Sequence, residues 1–268
     1  MDSGISALDY REHERLPYQG IFFGGRGGSI CSGGAILTAF QKKLRLDDAA
    51  MERISAAVRD AEKTTDGEIV VAVAKESARY SFWELLAAVV LSVLIFSALL
   101  PVSDSIFALC SRLFWTVPSW YVPAFYGIST FAMIAILFYV MNIPAIDRLV
   151  IPRSVRSSCV SGRAFRLFVE SGVHDTKNHS GILVYVSVLE RQVRILADSG
   201  INKKISPDMW NLIADDLAAG LGDKNYEESI ISTVRKCGEL LAQHFPTQDK
   251  TEDELPDGLI LLEEGAWD

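Results

Sequence analysis

From Leu46 to Gly67, apolar residues return every third or fourth position. Leu46, Ala50, Ile54, Ala57, Val58 and Ala61 form one stripe, with Asp, Glu and Arg opposite and Gly67 closing the run. This spacing predicts an amphipathic helix that needs a partner surface. The pattern then changes to the short β-branched run "EIVVAVA", residues 68 to 74, which reads as a strand buried on both faces. From Phe82 to Val102 the only charge is Glu84, and from Tyr121 to Ile146 there is none. A hydrocarbon core of roughly 30 Å asks for about 20 such residues in a helix, so the pattern predicts two membrane spans, at 82–102 and 121–146.

Between the spans, "SDSIFALCSRLFWTVPSW" is broken by Asp104, Arg112 and Pro118, while Phe107, Phe114, Trp115 and Trp120 suit the headgroup boundary. It reads as an interfacial loop. Two spans return the chain to its starting side. Arg148, Arg153, Arg156, Arg163 and Arg166 follow the second span and Lys63, Lys75 and Arg79 precede the first, against Arg112 alone in the loop. Basic flanks stay inside. Both termini and the soluble parts are therefore expected in the cytoplasm, with the aromatic loop outside. The first span begins too far along the chain to read as a cleaved signal peptide.

After the hairpin, "GRAFRLFVESGV" predicts a short helix with Phe165, Phe168 and Val169 inward. "GILVYVSVLERQVRILADSGI" gives two apolar runs separated by Leu189, Glu190 and Arg191, a hairpin of adjacent strands with a polar turn. Ser206 and Pro207 then supply an N-cap and a first-turn proline for "DMWNLIADDLAAGL". A last helix, from about Tyr226 to His244, carries Ile230, Ile231, Val234, Leu240 and Leu241 at helical spacing. One helix and one strand before the membrane cannot make a domain. The fold class expected is therefore α/β: a small mixed sheet of three or more strands covered by helices and interrupted by a two-helix transmembrane hairpin.

Composition agrees with that division. The chain of 268 residues is 49% apolar, with a mean hydropathy of +0.21, and the excess is concentrated between Phe82 and Ile146. The organisation expected is a flexible glycine-rich leader over 1–45, a discontinuous cytoplasmic domain from 46–80 and 152–246, the hairpin over 81–151, and an acidic tail over 247–268. The formal net charge is −8, and residues 249 to 268 hold eight acids against Lys250. The body is thus nearly neutral, with arginines gathered beside the spans. That excludes nucleic acid and favours anionic lipid headgroups. Within the tail, Leu255, Leu259, Ile260, Leu261, Leu262 and Trp267 are apolar enough to dock on a partner.

"AEKTTDGEIVVAVA", "SGILVYVSVLERQVRILADSGI", the capped helix and a closing helix ending "LLAQHFP" together resemble the TPM domain. That family is named for its occurrence in thylakoid lumen, photosystem II repair and receptor-modulating proteins. The tail "TEDELPDGLI" is similar to the bacterial branch in which the domain carries an inserted membrane hairpin, and the resemblance runs over about residues 46 to 258. It implies an interaction, assembly or repair factor for a membrane protein complex. Some plant relatives are described as acid phosphatases, occasionally with bound calcium, which makes metal-assisted phosphate-ester hydrolysis the alternative. The hairpin and the cytoplasmic orientation depart from the lumenal members.

For that alternative, Asp66 and Glu68 flank the first strand, Glu190 and Arg191 occupy the hairpin turn, and Asp198 ends the third strand. Ligands in open α/β sheets sit beyond the C-terminal ends of strands. Asp198 is the residue expected there, with Asp66, Glu68 and Glu190 nearer the opposite ends or the turn. Asp66 and Asp198 are the metal candidates; calcium or magnesium, which take several oxygens, would suit them, although no cofactor is demanded. Against this, Glu190 and Arg191 read equally as a solvated turn, and Asp66 and Asp198 as backbone caps. "GIFFGGRGGSICSGG" lacks the lysine of a phosphate-binding loop and does not fit the dinucleotide fingerprint. Cys31, Cys110, Cys159 and Cys237 have no close pairing, His174 and His179 lack metal-ligand spacing, and no Gly-x-Ser-x-Gly is present.

Overall fold

The computed structural model describes residues 38–113, 118, 120–141, 143, 150–176, 178–247, 255 and 258–263. The glycine-rich stretch and Trp267 lie outside them. The last residues of the stretch expected as a leader, 39–44, form a helix. Helix α1 (Ala39–Leu44) opens with a capping box, in which Thr38 accepts from the Gln41 amide and Gln41 accepts from the Thr38 amide. Phe40 and Leu44 of α1 are buried in the core.

Helix α2 (Asp48–Glu62) is capped by Asp47, whose side chain accepts from the Ala50 amide at 2.7 Å. Its buried stripe, Ala50, Ile54, Ala57 and Val58, is the one the spacing predicts. Gly67 does not end this helix. It lies against the next packing layer instead, where a Cβ would come within 2.8 Å of the Leu241 side chain and 3.1 Å of the Ser180 carbonyl.

Strand β1 (Glu68–Ala74) pairs in parallel with β2 (Gly181–Ser187), from Glu68 opposite Gly181 to Ala74 opposite Ser187. More than a hundred residues separate these neighbours, so the hairpin region does interrupt one sheet. β2 turns back into the antiparallel β3 (Gln192–Ala197). On the far side, β4 (Ile260–Leu262) runs parallel to β1, giving the order β3-β2-β1-β4. The expected α/β class holds, and β4 is the strand the sequence reading did not identify. The acidic tail expected over 247–268 thus contains part of the sheet.

Alternation in these strands splits the core in two. Ile69, Val71 and Val73 face one way, onto α1, α2, α8 (Pro207–Gly222) and α9 (Tyr226–His244), through Ile54, Trp210, Leu217, Ile230 and Leu241. Val70, Ala72 and Ala74 face the other way, onto α6 (Arg153–Glu170), through Val160, Ala164, Leu167 and Phe168. This helix corrects the sequence reading in length and register. It starts at Arg153, and Phe165 (63% exposed) and Val169 (42%) point outward rather than in.

The interruption consists of α3 (Ser81–Leu99), α4 (Ser103–Leu113) and α5 (Tyr121–Met141). The segment expected as a broken loop contains α4, with Asp104 in its first turn and Arg112 in its last, each placed favourably on the helix dipole. Two stretches, Ser81–Ser105 and Pro123–Val140, are long and apolar enough to cross a membrane. Only 11% and 6% of their apolar windows are buried, unlike the core helix of a soluble protein. Where α3 and α5 meet, Ala88, Ser92 and Tyr126 are buried. Phe96 and Tyr126 meet edge to face, and the Tyr126 hydroxyl donates to the Leu99 carbonyl at 2.8 Å. Ser97, Ser129 and Thr130 hydroxyls donate to carbonyls of their own helices, which removes the cost of apolar surroundings.

Candidate functional site

Strand direction decides which candidate residues can meet. β1 and β2 run the same way and β3 returns, so the end of β3 lies beside the starts of β1 and β2. Asp66, Glu68 and Asp198 therefore share one end of the sheet, and Glu190 lies at the other. The expectation that Asp198 occupies the C-terminal strand ends, away from Asp66 and Glu68, is corrected by this antiparallel turn. Of the candidate acids, Glu190 is the one at the C-terminal ends of the parallel pair.

At the first end Asp198 is nearly buried and caps α7 (Ser199–Asn202). Its Oδ1 accepts from the Ser199 amide at 2.5 Å, and its Oδ2 lies 3.2 Å from Nδ1 of the exposed His179. Asp66 is held through its backbone. Its amide donates to the Phe245 carbonyl at 3.1 Å, and its carbonyl accepts from Ser180 Oγ at 2.8 Å. Asp66, Asn178, Lys204, His244, Phe245 and Pro246 line an open polar cleft of about 280 Å³. Lys204 Nζ is engaged there with the His244 carbonyl at 2.9 Å and lies 4.0 Å from the centre of the Phe245 ring. Among the described residues, no three His, Cys, Asp or Glu side chains converge as a metal-binding set.

The opposite end is closed and densely hydrogen bonded. Glu190 is only 3% exposed, although it sits in a turn; the solvated position belongs to Arg191, which takes a left-handed φ of 53°. Glu190 Oε1 accepts from the Ser77 amide at 2.9 Å and the Tyr80 hydroxyl at 2.7 Å. Its Oε2 accepts from Ser187 Oγ. Ser77 Oγ donates to Ser187 Oγ at 2.8 Å and lies 3.0 Å from the Tyr185 hydroxyl. Since Ser77 has one hydroxyl proton, Tyr185 is the donor in that contact. The chain of hydrogen bonds thus runs Tyr185, Ser77, Ser187, Glu190, and ends on carboxyl oxygens that accept every bond shown.

Burial sets the titration of this group. It pushes the Tyr185 phenol up to about 12, against the nearby Ser77 hydroxyl and Arg163 charge. The Tyr80 phenol is raised further, first by burial and then by the adjacent Glu190 carboxylate. Both phenols therefore remain proton donors. Ser77, Tyr80, Tyr185, Ser187 and Glu190 are each 5% exposed or less, so the cluster offers no surface to a substrate. Its chemistry is that of a clasp.

What it clasps is the junction with the apolar helices. Ala78, Tyr80 and Ile151 are buried together, with Trp83, Val155, Cys159 and Leu189 packed around them. The segment entering α3, the segment beginning α6 and the β2–β3 turn are thus one contact. Trp83 and Glu84 amides both donate to the Tyr80 carbonyl, starting α3 directly from the clasped residue. Sequence reasoning named Glu190 but missed Ser77, Tyr80, Tyr185 and Ser187. A signal existed, since Tyr185 and Ser187 place two hydroxyls on one face of an otherwise apolar strand.

Of the tail residues expected to meet a partner, Leu259, Ile260, Leu261 and Leu262 are packed within the fold, and Trp267 lies outside the described residues. Leu259 and Leu261 are buried in the first core, and Ile260 and Leu262 pack on the second.

Residues 148–240 match the family model of the TPM domain. The match begins ahead of α6 and runs through β2 and β3 into α9, and the structure adds β1 and β4 to that unit. Among solved structures, the chain is similar to the NMR structure of the BA42 protein from the psychrophilic bacterium Bizionia argentinensis. The identity is 21% and the TM-score 0.47, covering 81% of this chain and 94% of that one. No curated protein matches the chain.

Proposed function

We propose, from the premise that this chain carries a TPM domain over residues 148–240, that it is a membrane-anchored module. It would present that domain at the cytoplasmic face as an interaction, assembly or repair factor for a membrane protein complex. The observation that carries the reading is the junction. An exposed apolar helix pair leaves the sheet after β1 and returns into α6 of the same sheet, and Glu190 ties the departure point to the β2–β3 turn. A domain tethered by a free linker needs no such clasp. One clasped at both strands is held in a fixed attitude to its anchor, which suits docking on a neighbour in the same bilayer.

The hydrolase alternative would draw only on Asp66, Glu68 and Asp198, because Glu190 is enclosed at the other end. Its support is the open cleft beside Asp66, where calcium or magnesium would have to be completed by backbone or water oxygens.

Carbonate washing of native membranes, followed by mild-detergent extraction of the tagged full-length chain and mass spectrometry, tests the reading. Retention through carbonate and a stoichiometric membrane partner are expected. Release by carbonate would overturn the anchor, and extraction of the chain alone would overturn the interaction role.

A further inference from the structure

β1 is buried on both faces, yet among the described residues the strand pairing on its outer edge comes from three residues late in the chain. Ala72, Val73 and Ala74 pair with Ile260, Leu261 and Leu262, and the Lys75 amide donates to the Leu262 carbonyl at 2.8 Å. Upstream the edge is closed differently, since Ile69 donates its amide to Glu62 Oε1 at 2.7 Å. The acceptor window is therefore bounded, from Ala72 to Lys75. It has a built fit for one kind of strand, apolar on both faces, because Leu259 and Leu261 enter one core while Ile260 and Leu262 enter the other.

We propose that this edge is a strand-acceptor site, and that its occupant in trans is the Leu259–Leu262 segment of a second copy of this chain, exchanged for its own. The segment whose fit is visible is this one, and exchange between copies recreates every contact without designing a new surface. A three-residue edge strand is also the kind of unit that opens locally while the sheet stays folded. The proposal does not depend on the hairpin crossing a membrane or on any other partner.

A fluorescent peptide of residues 255–263 (LPDGLILLE), added to the detergent-solubilised full-length chain, reads the site directly. It is expected to bind the Leu261→Asp protein saturably and the wild type at least about tenfold more weakly, because the wild-type edge is filled. A peptide carrying the same Leu261→Asp change should not bind. Two differently tagged wild-type copies, mixed and purified on one tag, should retain the other tag and lose it in excess peptide. Peptide that binds neither protein overturns the acceptor site. Peptide binding without co-purification overturns the exchange, and co-purification that persists when both copies carry Leu261→Asp places the contact elsewhere. If that variant does not fold, amide exchange on the wild type decides: the Lys75 amide should exchange before those of β2, and exchange only together with them overturns the proposal.

Discussion

The Tyr80 hydroxyl donates to Glu190 Oε1 at 2.7 Å across 110 residues of chain, linking the last residue before the first apolar helix to the turn between β2 and β3. Both groups are buried, so neither has water as a substitute partner. Tyr80→Phe removes one donor and leaves the carboxylate with the Ser77 amide and the Ser187 hydroxyl. A loss of about 1–3 kcal/mol is expected, measured by denaturant unfolding in detergent. Glu190→Gln should cost at least as much, since one end of the amide would face donors with a donor of its own.

The phenols give the clasp a pH dependence of defined sign. Tyr185 has a folded pKa raised to about 12 from an ordinary value of 10.0. Its contribution is complete below pH 10, where both states are protonated, and is lost as pH rises through 12 because the unfolded chain releases its proton first. Melting temperature should therefore fall between pH 10 and 12, and fall less steeply in Tyr185→Phe. Equal slopes in the two proteins would refute the assignment.

Much of this fold is legible in the sequence, and what is not has definite causes. The stripe on α2 and the runs of β1, β2 and β3 carry the period of their element, and the two apolar stretches carry the length a bilayer requires. β4 escapes because Leu259 and Leu261 are buried in one core while Ile260 and Leu262 pack half-buried on the other, so the run is apolar throughout and reads as a sticky tail. A helix begun at Gly162 turns Phe165 and Val169 inward. Begun at Arg153, the stripe Val160, Ala164, Leu167 and Phe168 sets the opposite phase. Asp198 reads as lying at the other end of the sheet until the antiparallel turn into β3 is known, because that turn sets the end of β3 beside the starts of β1 and β2. Glu190 was legible as an acid in a turn, but its burial depends on hydroxyls brought from Ser77 and Tyr80 across the inserted hairpin.

Asp198 separates capping from chemistry. Asp198→Ala should lose about 1 kcal/mol of stability by removing the cap of α7, whereas Asp198→Asn should lose little because asparagine caps equally well. Phosphate-ester hydrolysis, assayed with calcium or magnesium, should not depend on either change. Hydrolysis present in the wild type and abolished in the asparagine variant, with stability intact, would revive the hydrolase reading.

The packing of α2 on α9 rests on a missing side chain. A Cβ on Gly238 would lie 2.6 Å from the Ala61 Cβ, closer than carbon atoms approach. Gly238→Ala should therefore destabilise by about 1–3 kcal/mol through overpacking. Adding Ala61→Gly should recover part of the loss in a double-mutant cycle, because it removes the opposing atom at the cost of a mid-helix glycine. Additive losses would mean that the two helices separate rather than clash.

Orientation rests on charge beside the apolar helices. Arg153, Arg156, Arg163 and Arg166 follow them on α6, while α4 between them carries Arg112 as its only arginine. By the positive-inside rule, the proposed anchoring predicts the sheet on the cytoplasmic side and α4 on the other. In right-side-out vesicles an epitope placed at Pro118 should be reached by antibody without detergent, and one placed at Lys224, between α8 and α9, only after permeabilisation. Substituting the four α6 arginines would weaken this bias, but it would also disturb packing: Arg163 lies 3.7 Å from Glu170 on the same helix, and Arg194 of β3 bonds Ser157 and Ser161 of α6, so the helix is tied to the sheet. Introducing arginines at the exposed positions Ser105 and Ser111 of α4 is the cleaner challenge. It should lower the correctly inserted fraction while leaving the fold of the sheet unchanged, and an unchanged topology would show that the folded domain, rather than charge, fixes the side on which it lies.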